Sequence, residues 1–245
     1  MNRILVSLLF VLLPALAGAT GGGVHLDKAK IDLTNKQSLQ RGARLFVNYC
    51  LSCHPAAYQR YNRMASDLGL TEQQVIDNLM FAAQKIGEPM TVAMSRQDAK
   101  EWFGAPPPDL TLVSRSRGPD WLYSYLTTFY LDESRPFGVN NLVFPSVGMP
   151  HVLGELQGWQ KPVYKTVEHE GQTREVIDHL ELAEPGTLTP DEYDKAITDL
   201  VNFMTYMGEP VRLEREALGI KVLLFLLVLL VITYLLKKEY WKDVH

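Results

Sequence analysis

Cys50 and Cys53 are the only two cysteines in this chain of 245 residues, and His54 follows directly. Two thiols and an imidazole at that spacing could do three kinds of chemistry. A redox dithiol is one, but motifs of that kind sit between a strand and a helix, and the stretch before Cys50, "SLQRGARLFVNY", has the apolar spacing of a helix. Half of a zinc site is the second. A structural zinc needs four protein ligands, and the other histidines, His25, His151, His169, His179 and His245, show no paired spacing. The third is attachment of a c-type haem, for which Cys-x-x-Cys-His is the signature. The thiols of Cys50 and Cys53 would add to the porphyrin vinyl groups as thioethers, and His54 would lie under the iron as the proximal ligand.

An iron held on one face needs a second axial ligand or stays open to exogenous molecules. A methionine there suits electron transfer because it raises the potential. Met149, in "NNLVFPSVGMPHVL", stands in a loop stiffened by Pro145 and Pro150, so its thioether projects from loop backbone and not from a helix face. Met90 and Met94 compete for the role. Met64 and Met80, at helical spacings, and Met204 and Met207, on a late helix, read as packing residues. His151 would give a bis-histidine iron, although a loop histidine more commonly belongs to the polar surface. A further block, "GAPPPDLTLVSRSRGPDWLYSYL", opens with Pro106 to Pro108, which force extended backbone. It then carries Arg115 and Arg117 ahead of an aromatic helix bearing Trp121, Tyr123, Tyr125 and Phe129. Guanidinium groups match carboxylate geometry, so this arginine pair could meet haem propionates; a solvated basic turn fits the same residues.

The elements that must hold these groups also show in the sequence. Leu39, Ala43, Phe46 and Tyr49 line one side of the helix before the cysteines, and Gly42 on it allows another helix to come close. The expected partner is "TPDEYDKAITDLVNFMTYMG", with Thr189 as N-cap, Pro190 at the first helical position and Glu192 closing a capping box. Its stripe runs through Ile197, Leu200, Val201 and Met204. Thr71 and Gln74 form a second capping box at the start of "TEQQVIDNLMFAAQKIG". The alternating segment "PVYKTVEHEGQTREVIDHLEL" predicts a β-hairpin turning at Glu170-Gly171.

Both ends are apolar, in different ways. Residues 1–19 have Arg3, a short apolar run and small residues at their end, the pattern of a secretory signal peptide. Residues 219–236 are an apolar run carrying one charge, Lys221, long enough to cross a bilayer. Lys237, Lys238 and Lys242 follow it, so residues 237–245 read as a cytoplasmic tail and residues 20–218 as an exported domain. The chain has 24 basic and 28 acidic residues, and setting aside those of the two ends leaves 19 against 26, a net of −7. That balance argues against nucleic acid and admits a basic protein partner.

At "CLSCH", "PPDL" with Arg117 downstream, "FPSVGMP" and "MGEPVRLEREALGIKVL" the chain resembles the cytochrome c1 family, the haem subunits of quinol:cytochrome c reductases, in its proteobacterial form. The resemblance runs in order from about residue 38 nearly to the end, with a shorter Phe144–Met149 loop than many members have. It implies a mainly α, class I cytochrome c-like haem domain with loop and β-hairpin insertions and one C-terminal transmembrane helix. It implies one covalently bound haem c with His54 and Met149 as axial ligands, Arg117 at a propionate, and Trp121 where the family has a haem-edge tyrosine. Arg115 and Pro108 join them as haem-contacting residues by position. It further implies an electron carrier without catalysis of its own, set in the inner membrane with its haem domain in the periplasm. Its partners would be cytochrome b and Rieske iron–sulfur subunits in a dimeric bc1 complex, a soluble c-type cytochrome, and membrane lipid. The alternative reading is a membrane-bound cytochrome donating to a terminal oxidase or nitric oxide reductase.

Overall fold

The computed structural model describes residues 24–169 and 172–243. The expected signal peptide, the Glu170-Gly171 turn and the last two residues lie outside the described residues. Among the described residues, close to half of the chain is helical, with three two-stranded sheets, two of them short.

Helix α1 (Lys36–Leu45) starts where Asn35 Oδ1 accepts the Ser38 amide at 3.0 Å. It then widens into a π-helical turn, Phe46–Cys50, in which Phe46 O accepts from Leu51 N at 3.0 Å. The chain continues through β1 (Ala56–Arg60), α2 (Tyr61–Leu68), α3 (Glu72–Leu79), β2 (Pro89–Met90) and α4 (Arg96–Phe103). Next come α5 (Val113–Arg117), α6 (Pro119–Thr127), the paired strands β3 (Phe129–Leu131) and β4 (Val139–Asn141), and the single turn α7 (Gly154–Gln157). A long antiparallel hairpin, β5 (Gly158–His169) with β6 (Gln172–Pro185), precedes α8 (Pro190–Gly208) and the terminal helix α9 (Arg212–Tyr240).

The core is organised by the crossing of α1 and α8. Gly42 is the contact point, since a Cβ there would sit 2.0 Å from the Asp199 carbonyl oxygen and 2.7 Å from Phe203 Cβ. Phe46 and Phe203 meet one turn further on, ring centroids 5.6 Å apart. The expected stripe of α8, Ile197, Leu200, Val201 and Met204, is buried. Its start carries the expected capping box, Thr189 Oγ1 accepting the Glu192 amide and the Glu192 carboxylate accepting the Thr189 amide. Beside the crossing, the buried Asp199 carboxylate accepts from Arg41 Nε at 2.5 Å and Ser38 Oγ at 2.6 Å. Asn202 ties the incoming Asp32 backbone to the same place.

Three element boundaries differ from the sequence reading. Helix α3 has its Thr71–Gln74 box but stops at Leu79. Phe81 is 67% exposed, and the Glu88 carboxylate captures the Lys85 amide at 3.1 Å on the way into β2. The aromatic helix ends at Thr127, and Phe129 lies in β3 opposite Asn141. The hairpin is longer than expected at its base, where Gln160 Nε2 donates to the carbonyls of Thr127 and Phe129, both at 2.9 Å.

The apolar run 219–236 lies inside a helix of 29 residues, none of whose most apolar window is buried. At 1.5 Å per residue such a helix is about 43 Å long, against about 30 Å of hydrocarbon in a bilayer. Its polar ends extend past the apolar stretch on both sides.

Candidate functional site

The π turn delivers Cys50 at the end of a helix, and a tight turn follows. Cys53 N and His54 N both donate to Cys50 O, at 3.1 and 2.8 Å. His54 Nδ1 lies 2.8 Å from Pro108 O. A carbonyl can only accept, so the bond places the imidazole proton on Nδ1 and leaves the Nε2 lone pair free to bind a metal. Burial lowers the His54 pKa, against the pull of the Pro108 bond and the nearby Asp109 charge, which disfavours the charged ring. The segment supplying Pro108 is sewn to the cysteine loop. Leu110 N donates to Pro55 O at 2.9 Å, and the Asp109 carboxylate accepts from Ala57 N and Thr111 N, both at 2.8 Å.

This setting disfavours the two other uses of the cysteines. Burial, with a smaller contribution from Cys53, pushes the Cys50 thiol up to about 12, whereas a reactive dithiol needs its thiolate stabilised. Among the described residues no three His, Cys, Asp or Glu side chains gather as a metal shell.

A second wall is built by α6 and the loop after β4. Trp121 stacks on Tyr125, ring centroids 5.0 Å apart and planes within 9°. The Tyr125 hydroxyl donates to Met149 Sδ at 3.5 Å. The Arg117 guanidinium lies over the Trp121 ring, 5.3 Å from its centroid. Met149 packs with Phe129, Val139 and Val147, and Tyr125 joins that group to the main core on which Cys50, Leu110 and Trp121 rest. The residues singled out at the two ends of the site are thus linked through one aromatic helix.

The competing residues fall elsewhere. Met64, Met90, Met204 and Met207 are buried in the core, while Met94 is half-buried in a bend. His151 is not surface, as a loop histidine was expected to be. It is buried, stacked on Phe129 at 4.8 Å with Trp159 edge-on, and burial lowers its pKa to about 4. The hydrophobic cluster around β3 outbids solvent for the ring. Arg115 pairs with the Glu209 carboxylate, 3.6 Å away, which also pairs with Arg215 of α9. No ion pair is found for Arg117 among the described residues.

Sequence reasoning missed the residues that shape the methionine loop. Asn141, fully buried, donates through Nδ2 to Tyr125 O at 2.8 Å, and its Oδ1 accepts the amides of Val143 and Phe144 at 2.9 and 3.0 Å. Asn140 Oδ1 accepts from Ser146 N at 2.8 Å, holding a non-glycine residue at φ 64°. Arg135 donates to Ser146 O at 2.9 Å. The only signal was the tandem asparagine at the loop entrance, a residue type that captures its own neighbouring amides.

The donor set fits a c-type haem. It comprises two thiols in a turn, an imidazole with its Nε2 lone pair unprotonated, a half-buried thioether, and a guanidinium with no carboxylate partner among the described residues. The comparisons agree. The family model described as the Cytochrome C1 family matches residues 28–244. The chain is 53% identical over 245 residues to cytochrome c1 of Allochromatium vinosum, covering all of both chains. It is 50% identical over 246 residues, again end to end, to a protein of Nitrosomonas europaea named ammonia monooxygenase gamma subunit. It is 25% identical over 247 residues to cytochrome b/c1 of Bradyrhizobium diazoefficiens, covering 86% of this chain and 34% of that one.

Proposed function

The chain belongs to the cytochrome c1 family, and on that premise we propose that it takes one electron from a Rieske iron–sulfur protein and hands it to a soluble c-type cytochrome. Members of this family are the haem-bearing electron-transfer subunits of bc1-type complexes, and α9 is suited to anchor this one in a membrane. A haem c bound here would supply a reversible one-electron couple.

The chain's own residues do the rest. Cys50 and Cys53 would anchor the group covalently, and His54, oriented by Pro108, and Met149, presented by the asparagine-stapled loop, would hold its iron. Arg117, fixed over Trp121, is placed for a propionate, while Arg115 serves the junction with α9. The α1–α8 crossing supports a class I cytochrome c-like haem domain, with the β5–β6 hairpin as an insertion. The domain spanning residues 20–218 faces the periplasm after removal of residues 1–19, and residues 237–245 stay in the cytoplasm. The protein works beside cytochrome b, a pairing supported by the fused name of the Bradyrhizobium relative, in a dimeric complex.

The bond from His54 to Pro108 O within the Cys50–His54 turn carries this reading, because it is the tautomer a metal-bound imidazole needs. Haem staining of the mature protein on a denaturing gel tests attachment, and loss of the stain in a Cys50→Ala, Cys53→Ala double variant is the expected result. Mild-detergent purification tests the assembly: a cytochrome b and a Rieske protein should accompany the chain. The Nitrosomonas relative's name favours one second reading, a cytochrome serving a monooxygenase complex, and ammonia monooxygenase subunits in the same preparation would establish it instead.

A further inference from the structure

The hydrogen bond from Tyr125 to Met149 joins a residue of α6 to the proposed axial ligand, and neighbours from α6, β3 and β4 hold that tyrosine on several sides. Trp121 stacks on one face of its ring, and Phe129 meets it edge-on with centroids 5.2 Å apart. Its own carbonyl is fixed by Asn141. Met149 Sδ is the hydroxyl's one acceptor among the described residues. A thioether has no proton to give, so in this contact the hydroxyl is the donor and sulfur the acceptor.

We propose that Tyr125 is a positioning and tuning residue, whose hydroxyl holds the Met149 thioether and raises the reduction potential of the bound iron. The proposal rests on the reading that Met149 is an axial ligand. A thioether has two lone pairs. With one given to iron, the other lies open to a donor, and the phenol hydroxyl occupies the hydrogen-bonding range of sulfur. An O–H drawing density from sulfur makes it a poorer donor to iron. Ferric iron depends on that donation more than ferrous iron does, so the oxidised state loses more and the potential rises. The aromatic cage adds pre-organisation, since the hydroxyl need not be ordered when sulfur binds.

The test uses the full-length, detergent-extracted holoprotein and four forms: wild type, Tyr125→Phe, Met149→Leu and the double variant. Tyr125→Phe retains the ring and its stacking and removes only the hydroxyl. Its equilibrium with a reference one-electron couple should shift about threefold toward the oxidised form, about 30 mV at 59 mV per tenfold. Its near-infrared sulfur-to-iron band should persist at a changed wavelength. In the Met149→Leu background the same change should shift nothing further. Tyr125→Leu, which also lacks the hydroxyl, should lower the potential in the same direction and serves if the phenylalanine variant fails to load haem. A Tyr125→Phe protein with wild-type potential and band overturns the proposal and leaves Met149 in place. A band that survives Met149→Leu removes Met149 from the iron and overturns both. An equal shift in both backgrounds assigns Tyr125 a general packing effect and also overturns it.

Discussion

At the scale of single residues, the site is a set of polar atoms tied to particular partners. Asp109 shows the principle. Its carboxylate takes the amides of Ala57 and Thr111 and so fastens the segment that supplies the Pro108 carbonyl to the loop that supplies His54. Asp109→Ala would leave both amides to water or to no partner, at about 1–3 kcal/mol. The expected outcome is a lower denaturation midpoint with haem still attached, because both cysteines remain. Chemical denaturation of the wild-type and variant holoproteins checks it. Cys50, Cys53, His54 and Met149 stood out in the sequence because their chemistry resides in residue type and local spacing. Pro108 was named by resemblance but not for its carbonyl, and the long-range bonds of Pro108, Asn141 and the Tyr125 hydroxyl did not stand out, since each reaches a partner 16 to 54 positions away. Local spacing does not mark such pairs.

At the scale of elements, helix starts were legible and helix ends were not. Capping boxes at Thr71 and Thr189 are contacts within four residues, and both formed. Where α3 ends depends on whether residues beyond Leu79 find apolar cover, and Phe81 does not. Thr189→Ala should cost about 1 kcal/mol, read as a shift in the thermal midpoint with the visible spectrum unchanged. Gly42 was legible as a small residue on a helix face, but the size of its role belongs to the crossing. With a backbone oxygen 2.0 Å from the position of a new Cβ, neither helix can accommodate it by rotating a side chain. Gly42→Ala should force α1 and α8 apart and destabilise the domain by about 3 kcal/mol, at the upper end of overpacking costs. It should also displace the π turn that ends in Cys50. A loss of cooperativity in unfolding, together with reduced haem incorporation, is the expected pair of measurements; a variant as stable as wild type would mean that the helices can slide.

At the scale of the whole molecule, the body and the anchor obey different solvents. The body has its own core around the α1–α8 crossing, whereas α9 exposes apolar side chains along its whole length, and no element of the body packs extensively against it. Their junction is ionic. Glu209, just past the end of α8, holds Arg215 on the first turns of α9 and Arg115 at the end of α5, two residues before Arg117. Exposed pairs of this kind contribute little, enough to orient the anchor and too little to hold the body's fold. A chain ending at Val211 should therefore leave the membrane fraction and remain soluble, helped by its net negative charge. It should keep its haem, its sulfur-to-iron band and a potential near that of the full-length protein. What it should lose is retention with cytochrome b on a sizing column, because the surface of α9 is the part of the chain available to other membrane helices. If the truncated chain instead aggregates or fails to load haem, α9 contributes to folding of the body through contacts beyond the Glu209 junction.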